Sequence, residues 1–442
     1  MSNLAFLGGR PVVEKADESL FHWPIVNDAM RKAQAEVLET GNMSGTDIAR
    51  RFEAAFASWQ KRKYALSHNN GTSALNAAMH AIGLGPGDEM ICTSLTYWAS
   101  CTGALALGAG VVFCDIDPNT LQMDPASFEA RITPRTKAVM VVHYMAHPAP
   151  MDEIMSIARR HGIKVIEDVS HAQGGHYKGR MLGTFGDVAA MSLMSCKSFA
   201  IGEGGMLVTD DAEIYRRAIR FGHYDRIADV FSEEEMEATK NVPFGGLKNR
   251  MHQVSAAIGL EQLKKHDAEI AEIDRAMKYF WKGVEDVPGI RVIYPRDEGS
   301  DKAGWYASRF IYDSRAFCGV SNVTFCDALN AECGGGFSFG CNMPLHLSSV
   351  FFDVDVYGHG RPTATAFMPE GTDLRKEHGL LPAAEAANSR TLGEPWFKHD
   401  DHARIDPYIE AFRKVAANAA ELLPVNDTEP VLGGVALSRR KK

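Results

Sequence analysis

Ser192-Leu-Met-Ser-Cys-Lys197-Ser-Phe-Ala-Ile-Gly202-Glu203-Gly204-Gly205 joins two apolar runs, Val188 to Met194 and Met206 to Thr209, through a lysine and a glycine turn. Both runs read as buried strands. Burial disfavours an ammonium and lowers its pKa. A lysine made neutral in this way can attack a carbonyl and hold it as a Schiff base. Taken alone, Lys197 is a weak signal, and a strand-end side chain snorkelling to water is the ordinary reading. The rest of the chain separates the two readings.

Upstream, short apolar strands alternate with helices. Strands are expected at Tyr64 to Ser67, Met90 to Thr93, Val111 to Ile116, Ala138 to His143 and Ile163 to Glu167. Helices are expected at Asp28 to Thr40, Thr46 to Gln60, Leu75 to Ile82, Ala99 to Leu107, Pro125 to Ile132 and Met151 to His161. Alternation of this kind indicates an α/β fold with a mostly parallel sheet covered on both faces. Ligands of such sheets bind beyond the carboxyl ends of the strands. Tyr97, His143, Asp168 and Lys197 all fall near strand ends, so they can converge.

Two of these ends carry chemistry. Asn70-Gly71-Thr72-Ser73-Ala74 lies between a strand and a strong helix. Free backbone N–H groups and the helix dipole there suit a phosphate. Ser and Thr are also ordinary N-cap residues, so plain capping is the competing reading. Asp168 follows the apolar run Lys164-Val-Ile-Glu167. A buried carboxylate needs a cationic or hydrogen-bonding partner. A pyridinium nitrogen is one such partner; capping of the following loop is the bland alternative. Tyr97 and Trp98 can stack on a flat ring or simply belong to the core.

In this order the motifs resemble the sugar aminotransferases of the DegT type, fold-type-I enzymes that use pyridoxal 5′-phosphate (PLP). The resemblance runs from about residue 20 to about residue 415. It is carried by Asn70-Gly-Thr-Ser-Ala-Leu75, Gly85-Pro-Gly-Asp88, Ser94-Leu-Thr-Tyr97, Asp115-Ile-Asp117, Glu167-Asp168, Gly186-Asp187, Lys197, Gly202-Glu-Gly-Gly205 and Thr209-Asp-Asp211. It implies a seven-stranded-type sheet in a large domain and a smaller α+β domain after it. It implies that Lys197 carries PLP and shuttles the proton, and that Asp168 pairs with the pyridinium. Tyr97 would stack on the ring, and Gly71, Thr72, Ser73 and Ser192 would bind the phosphate. Relatives with histidine in place of this lysine act as dehydratases, so Lys197 favours transamination.

Two positions depart from the commonest family pattern. His171 stands where a glutamine usually contacts the phenolic oxygen of PLP, with Gln173 two residues further on. In Gly246-Leu-Lys248-Asn249-Arg250-Met251, Lys248 takes the place of an asparagine that reaches the partner subunit's phosphate. A lysine can serve a phosphate as a point charge. Both variations resemble the branch of scyllo-inosose aminotransferases and 3-amino-5-hydroxybenzoate synthases. Leu4-Ala-Phe-Leu-Gly-Gly9, Arg309-Phe-Ile-Tyr312 and Leu329-Asn-Ala-Glu332 fit the same branch. The resemblance implies L-glutamine or L-glutamate as donor and a keto-cyclitol or keto-sugar as acceptor. It also implies aminocyclitol, aminosugar or antibiotic biosynthesis, and a homodimer with shared active sites. Arg250 and His346 are candidates for facing substrate. The rivals are elimination or aromatisation of an aminated ring, and a catalytically silent regulator of the same fold.

The remaining features set boundaries. At 442 residues the chain exceeds one compact core. The expected division is 1–287, with an N-terminal arm, 288–424, and a tail from 425 to 442. The second part is expected to hold strands at Ile290 to Ile293 and Ser308 to Tyr312, and helices at Asn322 to Cys333 and Ile405 to Leu422. Gly334 to Gly336 and Cys341 to Gly360 read as mobile loops. A net charge of −9 argues against a nucleic-acid partner. Eight scattered cysteines without a Cys-x-x-Cys pair fit a reducing cytoplasm. No secretory signal or membrane-spanning run is expected. Among 16 histidines, His143 and His147 are too constrained by Pro148 to share a helix face, and no metal is expected.

Overall fold

A computed structural model describes residues 2–240, 242 and 247–429. Gly246 of the glycine–lysine motif and the basic end of the tail, 430–442, lie outside the described residues.

Seven strands form the main sheet: β1 (Tyr64–His68), β2 (Glu89–Thr93), β3 (Gly110–Cys114), β4 (Thr136–Val142), β5 (Lys164–Asp168), β6 (Val188–Ser192) and β7 (Gly205–Thr209). Their spatial order is β1-β7-β6-β5-β4-β2-β3. Neighbours from β3 through β6 run parallel, and β7 alone runs against both of its neighbours. This is the fold-type-I arrangement implied by the resemblance. β2, β3 and β7 are buried along their whole length. Such strands are near-continuous apolar runs because helices cover both faces of a parallel sheet.

Helices α1 (Asp28–Thr40), α2 (Asp47–Gln60), α3 (Gly71–Ala81), α4 (Ala99–Ala106), α5 (Pro125–Ala130), α6 (Met151–His161) and α7 (Ala212–Gly222) alternate with these strands. α6 shows why such a segment is helical. Ile154, Ile157 and Ala158 share its buried face, Asp152 and Glu153 sit in its first turn, and Gly162 closes it in a left-handed conformation.

Beyond the long helix His266–Val284, a second sheet is formed by β8 (Ile290–Arg291), β9 (Arg309–Tyr312), β10 (Ser338–Phe339) and β11 (Thr391–Gly393), in the order β8-β9-β11-β10. β8 stops two residues short of the expected strand, and Pro295 downstream has no N–H with which to extend it. The last α-helix is His402–Ala417, not Ile405 to Leu422. Asp401 caps it, and the chain then tightens into a 3₁₀ turn over Ala419–Val425. Nor is the segment Cys341 to Gly360 a free loop. Phe351 is buried in it and packs edge-on against Phe113 of β3 at 5.1 Å. The first residues pack on the helix Asn322–Cys333: the Ala5 and Val12 N–H groups donate to the Glu332 carboxylate at 2.9 and 3.1 Å.

Glu167 and Asp168 end β5, and successive strand residues face opposite ways. Glu167 is fully buried and accepts from the N–H groups of Gly183 (2.8 Å), Phe185 (2.8 Å) and Gly186 (2.7 Å) and from His143 Nε2 (3.1 Å). Burial pushes its carboxyl up, but the His143 hydrogen bond and the backbone donors outweigh that and hold it low. His143 is therefore spent on the side of the sheet opposite Asp168, a correction to its expected convergence with Tyr97 and Lys197. Replacing Glu167 with Gln sets an amide N–H against backbone donors. The expected loss is about 2–4 kcal/mol, read as a lower urea midpoint with an unchanged denaturant slope.

Candidate active site

A cavity of about 450 Å³ opens beyond the carboxyl ends of β1, β2, β4, β5 and β6. Lys197 reaches it from a tight hairpin after β6. The hairpin is closed by Leu193 N–H to Gly204 O (2.9 Å), Ser195 N–H to Gly202 O (2.8 Å) and Ile201 N–H to Leu193 O (2.9 Å). Trp23 Nε1 donates to the Lys197 carbonyl at 2.8 Å, so the N-terminal segment also fixes the lysine backbone. The side chain is buried. Burial lowers its amine from 10.5 to about 8, against the opposing pull of Asp168 and Cys196. The expected desolvated lysine is thus present.

Asp168 lines the same cavity and is almost wholly buried. Ser100 Oγ donates to Oδ2 at 2.8 Å, and the Ser170 N–H donates to Oδ1 at 3.0 Å. Ser100 is itself held by Thr96 Oγ1 at 3.0 Å. The carboxylate keeps acceptor capacity for a further donor, since two oxygens offer about four lone-pair sites. The loop after β5 is stapled from beneath by Gln173. Its Nε2 donates to Ser192 O (2.6 Å) and its Oε1 accepts from Ser198 Oγ (2.6 Å).

Gly71 and Thr72 begin α3 and line the cavity beside Ser192. Their N–H groups have no carbonyl one turn behind them. The Ser73 N–H, by contrast, is taken by Asn70 Oδ1 at 2.8 Å, and Ser73 does not line the cavity. Asn70 caps the helix as the capping reading expects, and among the described residues the first two donors have no acceptor. Gly71 is required by close approach, because a Cβ there would lie 2.5 Å from Ser192 Cβ. Gly205 is required likewise, its Cβ falling 2.3 Å from Asn70 O.

Tyr97 and His171 also line the cavity. His171 lies between the rings of Tyr144 (5.5 Å) and Tyr306 (4.6 Å). Its Nδ1 accepts the Met145 N–H at 3.3 Å. Burial, then Lys197 and Arg309, push its pKa well below the usual range, so the ring is neutral with its proton on Nε2. Other expected residues stand elsewhere. Lys248 is exposed over the Tyr224 ring at 5.7 Å. The Asn249 carbonyl accepts the Asn69 N–H at 2.7 Å, steadying the turn before Gly71. Arg250 pairs with Asp225 at 2.9 Å. His346 is held by Ser94 Oγ (2.6 Å) and Glu385 Oε1 (3.1 Å). None of these four lines this chain's cavity. His346 and Arg250 each have partners within this chain.

Sequence reading missed Ser100, Ser170, Tyr144, Tyr306, Arg309 and Asn342, all of which line the cavity. Arg309 was visible as part of a branch motif but not as a site residue. Its Nε donates to Gly340 O (2.8 Å), and its Nη1 to Ala307 O (3.0 Å) and Ser308 O (2.8 Å). Tyr144 donates its hydroxyl to Asn342 Oδ1 and accepts the Asn342 N–H at 3.2 Å. That exchange fixes the amide orientation and leaves Nδ2 as a donor.

The model of the DegT/DnrJ/EryC1/StrS aminotransferase family matches residues 24–384. The chain belongs to this family. It is an aminotransferase. It is 35% identical over 440 residues to the L-glutamine:scyllo-inosose aminotransferase of Streptomyces griseus, covering 95% of this chain and 99% of that one. It is 30% identical over 415 residues to the spore coat polysaccharide biosynthesis protein SpsC of Bacillus subtilis (strain 168), covering 92% and 100%. Among solved structures, 3-amino-5-hydroxybenzoic acid synthase superposes with a TM-score of 0.75 at 25% identity, covering 93% of this chain and 99% of that one.

The lysine's burial has a stability signature. Between pH 8 and 10.5 the unfolded state keeps the Lys197 proton that the folded state has released, so stability rises with pH across that window. Below pH 8 the buried amine costs the fold about 3 kcal/mol. Lys197→Met in the cofactor-free protein is therefore expected to be more stable than wild type at pH 7. Urea unfolding should show that gap shrinking to less than half by about pH 9.5.

Proposed function

We propose that this aminotransferase uses PLP and moves the amino group of L-glutamine or L-glutamate to a keto-cyclitol or keto-sugar, in aminocyclitol or aminosugar biosynthesis that includes antibiotics. The observation that carries the reading is one cavity holding a desolvated lysine, a buried carboxylate with spare acceptor capacity and two free N–H groups at a helix start. The glycine cradle at Gly71, which a Cβ would fill, fits a phosphate. Gly71, Thr72 and Ser192 would hold that phosphate. Asp168 would hold the ring nitrogen, and the Nε2–H of His171 the phenolic oxygen. Tyr97 would cover the ring. When bound, PLP supplies an electron sink through which an amino group is passed in two halves.

The protein's own part is binding and proton movement. Lys197 Nζ, neutral above about pH 8, takes the donor's α proton and returns it. Asp168, fixed by Ser100 and the Ser170 N–H, keeps a proton on whatever nitrogen it faces. Arg309 receives the donor's carboxylate: three backbone carbonyls hold the guanidinium, and Nη2 remains for the anion. Asn342 Nδ2 and Thr96 offer hydrogen bonds to acceptor hydroxyls. We further propose a homodimer in which Lys248 and Asn249 serve the partner's phosphate, since they stand outside their own cavity. Asn249 would add this to its own-chain contact. The division at residues 287 and 288 falls just before β8, between the two sheets. A cytoplasmic setting fits eight free cysteines. Among the described residues no helix is long and apolar enough to cross a membrane.

The test is stoichiometric. Protein loaded with PLP and given L-glutamine without acceptor should release about one keto acid per site, then turn over when scyllo-inosose or a keto-sugar is added. Lys197→Ala should release none. A product that has lost water instead of keeping every hydroxyl would favour elimination, and no release from any donor would contradict the proposal. In the same assay Arg309→Met should raise the KM for L-glutamine by about 30- to 100-fold, with a smaller effect on the acceptor's KM.

A further inference from the structure

Lys197 Nζ lies 4.0 Å from the centroid of the Tyr306 ring. Among the described residues it makes no hydrogen bond and no ion pair. The ring face is thus its nearest stabilising partner. An aromatic quadrupole attracts a cation placed over its face, and does so more strongly where water is excluded.

The ring is held there at a cost to the backbone. Trp305 (φ 57°) and Ala307 (φ 55°) flank Tyr306 in the left-handed region, which is unusual for residues with side chains. Such a conformation persists only when its surroundings over-determine it. Trp305 is buried, packs edge-on to Trp281 at 4.5 Å and donates Nε1 to Asp274 at 2.9 Å. Gly304 (φ 62°) comes so close to the lysine hairpin that a Cβ would lie 2.3 Å from Ser198 Cβ. The Gly304 carbonyl is tied to Trp396 Nε1 at 2.8 Å. Two left-handed residues, a glycine contact and two indole hydrogen bonds converge on the segment that presents this one ring.

We propose that Tyr306 is a positioning residue for Lys197, its ring face holding the free ammonium at one place in the cavity. This rests on the reading of Lys197 as the reacting lysine and adds a specific partner to it. A reacting lysine spends part of each cycle unbonded. A flexible four-carbon stem would then wander, and the ring gives the charged form a fixed resting position. The hydroxyl of Tyr306 is not needed for this; its face is.

The test uses cofactor-free protein and no substrate, so it is independent of whether the transamination reading survives. Amine labelling by trinitrobenzenesulfonate, followed at residue 197 by peptide mass spectrometry from pH 6 to 10, reports the midpoint of the lysine. The titratable groups around Nζ are Asp168, Cys196 and His171, with Glu203 and Arg309 lining the same cavity, and all remain in place in the variants. Tyr306→Phe keeps the face and should keep the midpoint. Tyr306→Leu should lower it by about half a unit to one unit. Tyr306→Trp, with the strongest face, should hold it at or above the wild-type value and serves if the leucine variant does not fold. Equal shifts in Phe and Leu would assign the effect to the hydroxyl and overturn the proposal. So would an unchanged midpoint in Leu, or a drop in Trp.

Discussion

An amine taken out of water must be offset by something, and around Lys197 that requirement organises much of the site. Its ammonium loses hydration on burial, which brings it down to about 8. What remains to favour the charge is the field of Asp168, a smaller contribution from Cys196, and the face of Tyr306. Asp168 is in turn buried by the end of β5 and satisfied by Ser100 and the Ser170 N–H. Ser100 stands on α4, so two βα units are already engaged in setting one charge pair. The strand before Asp168 is anchored from its other side by Glu167 and three backbone N–H groups.

Burial alone does not single out Lys197. Lys302 is lowered to about 8 as well, by burial first, with Glu394 opposing and Arg309 adding to the fall. Lys398 is pushed well below the usual lysine range by burial. Both have settled partners: Lys302 donates to Met145 O at 3.0 Å, and Lys398 donates to Trp396 O at 3.1 Å and sits 3.0 Å over the Trp396 ring. Neither lines the cavity with Asp168. Geometry separates Lys197 from them where desolvation does not.

Much of this was legible in the chain. The alternation of apolar strands and helices gives the mostly parallel sheet because residues buried on both faces read as continuous apolar runs. Lys197, Asp168 and Gly71-Thr72 were legible because each follows a strand, and parallel strands deliver their ends to one side. The failures share a cause. His143 also ends a strand, but a one-residue difference in facing direction sends it to Glu167. Tyr306, Arg309 and Asn342 come from beyond the main sheet, and no local pattern announces which side chain of a distant segment will roof a cavity. Trp305 and Ala307 in left-handed backbone could not be foreseen, since no glycine marks those two positions. Arg250 and His346 were placed by motif position, and their contacts within the chain, with Asp225 and Glu385, are fixed by tertiary packing.

The most direct measurement is borohydride reduction of the PLP-loaded protein followed by peptide mapping. Reduction makes any imine link between PLP and a lysine permanent. The expected result is a phosphopyridoxyl adduct on Lys197 and on no other residue, lost in Lys197→Ala. An adduct on Lys302 or Lys398, or none at all in protein that retains bound PLP, would contradict it.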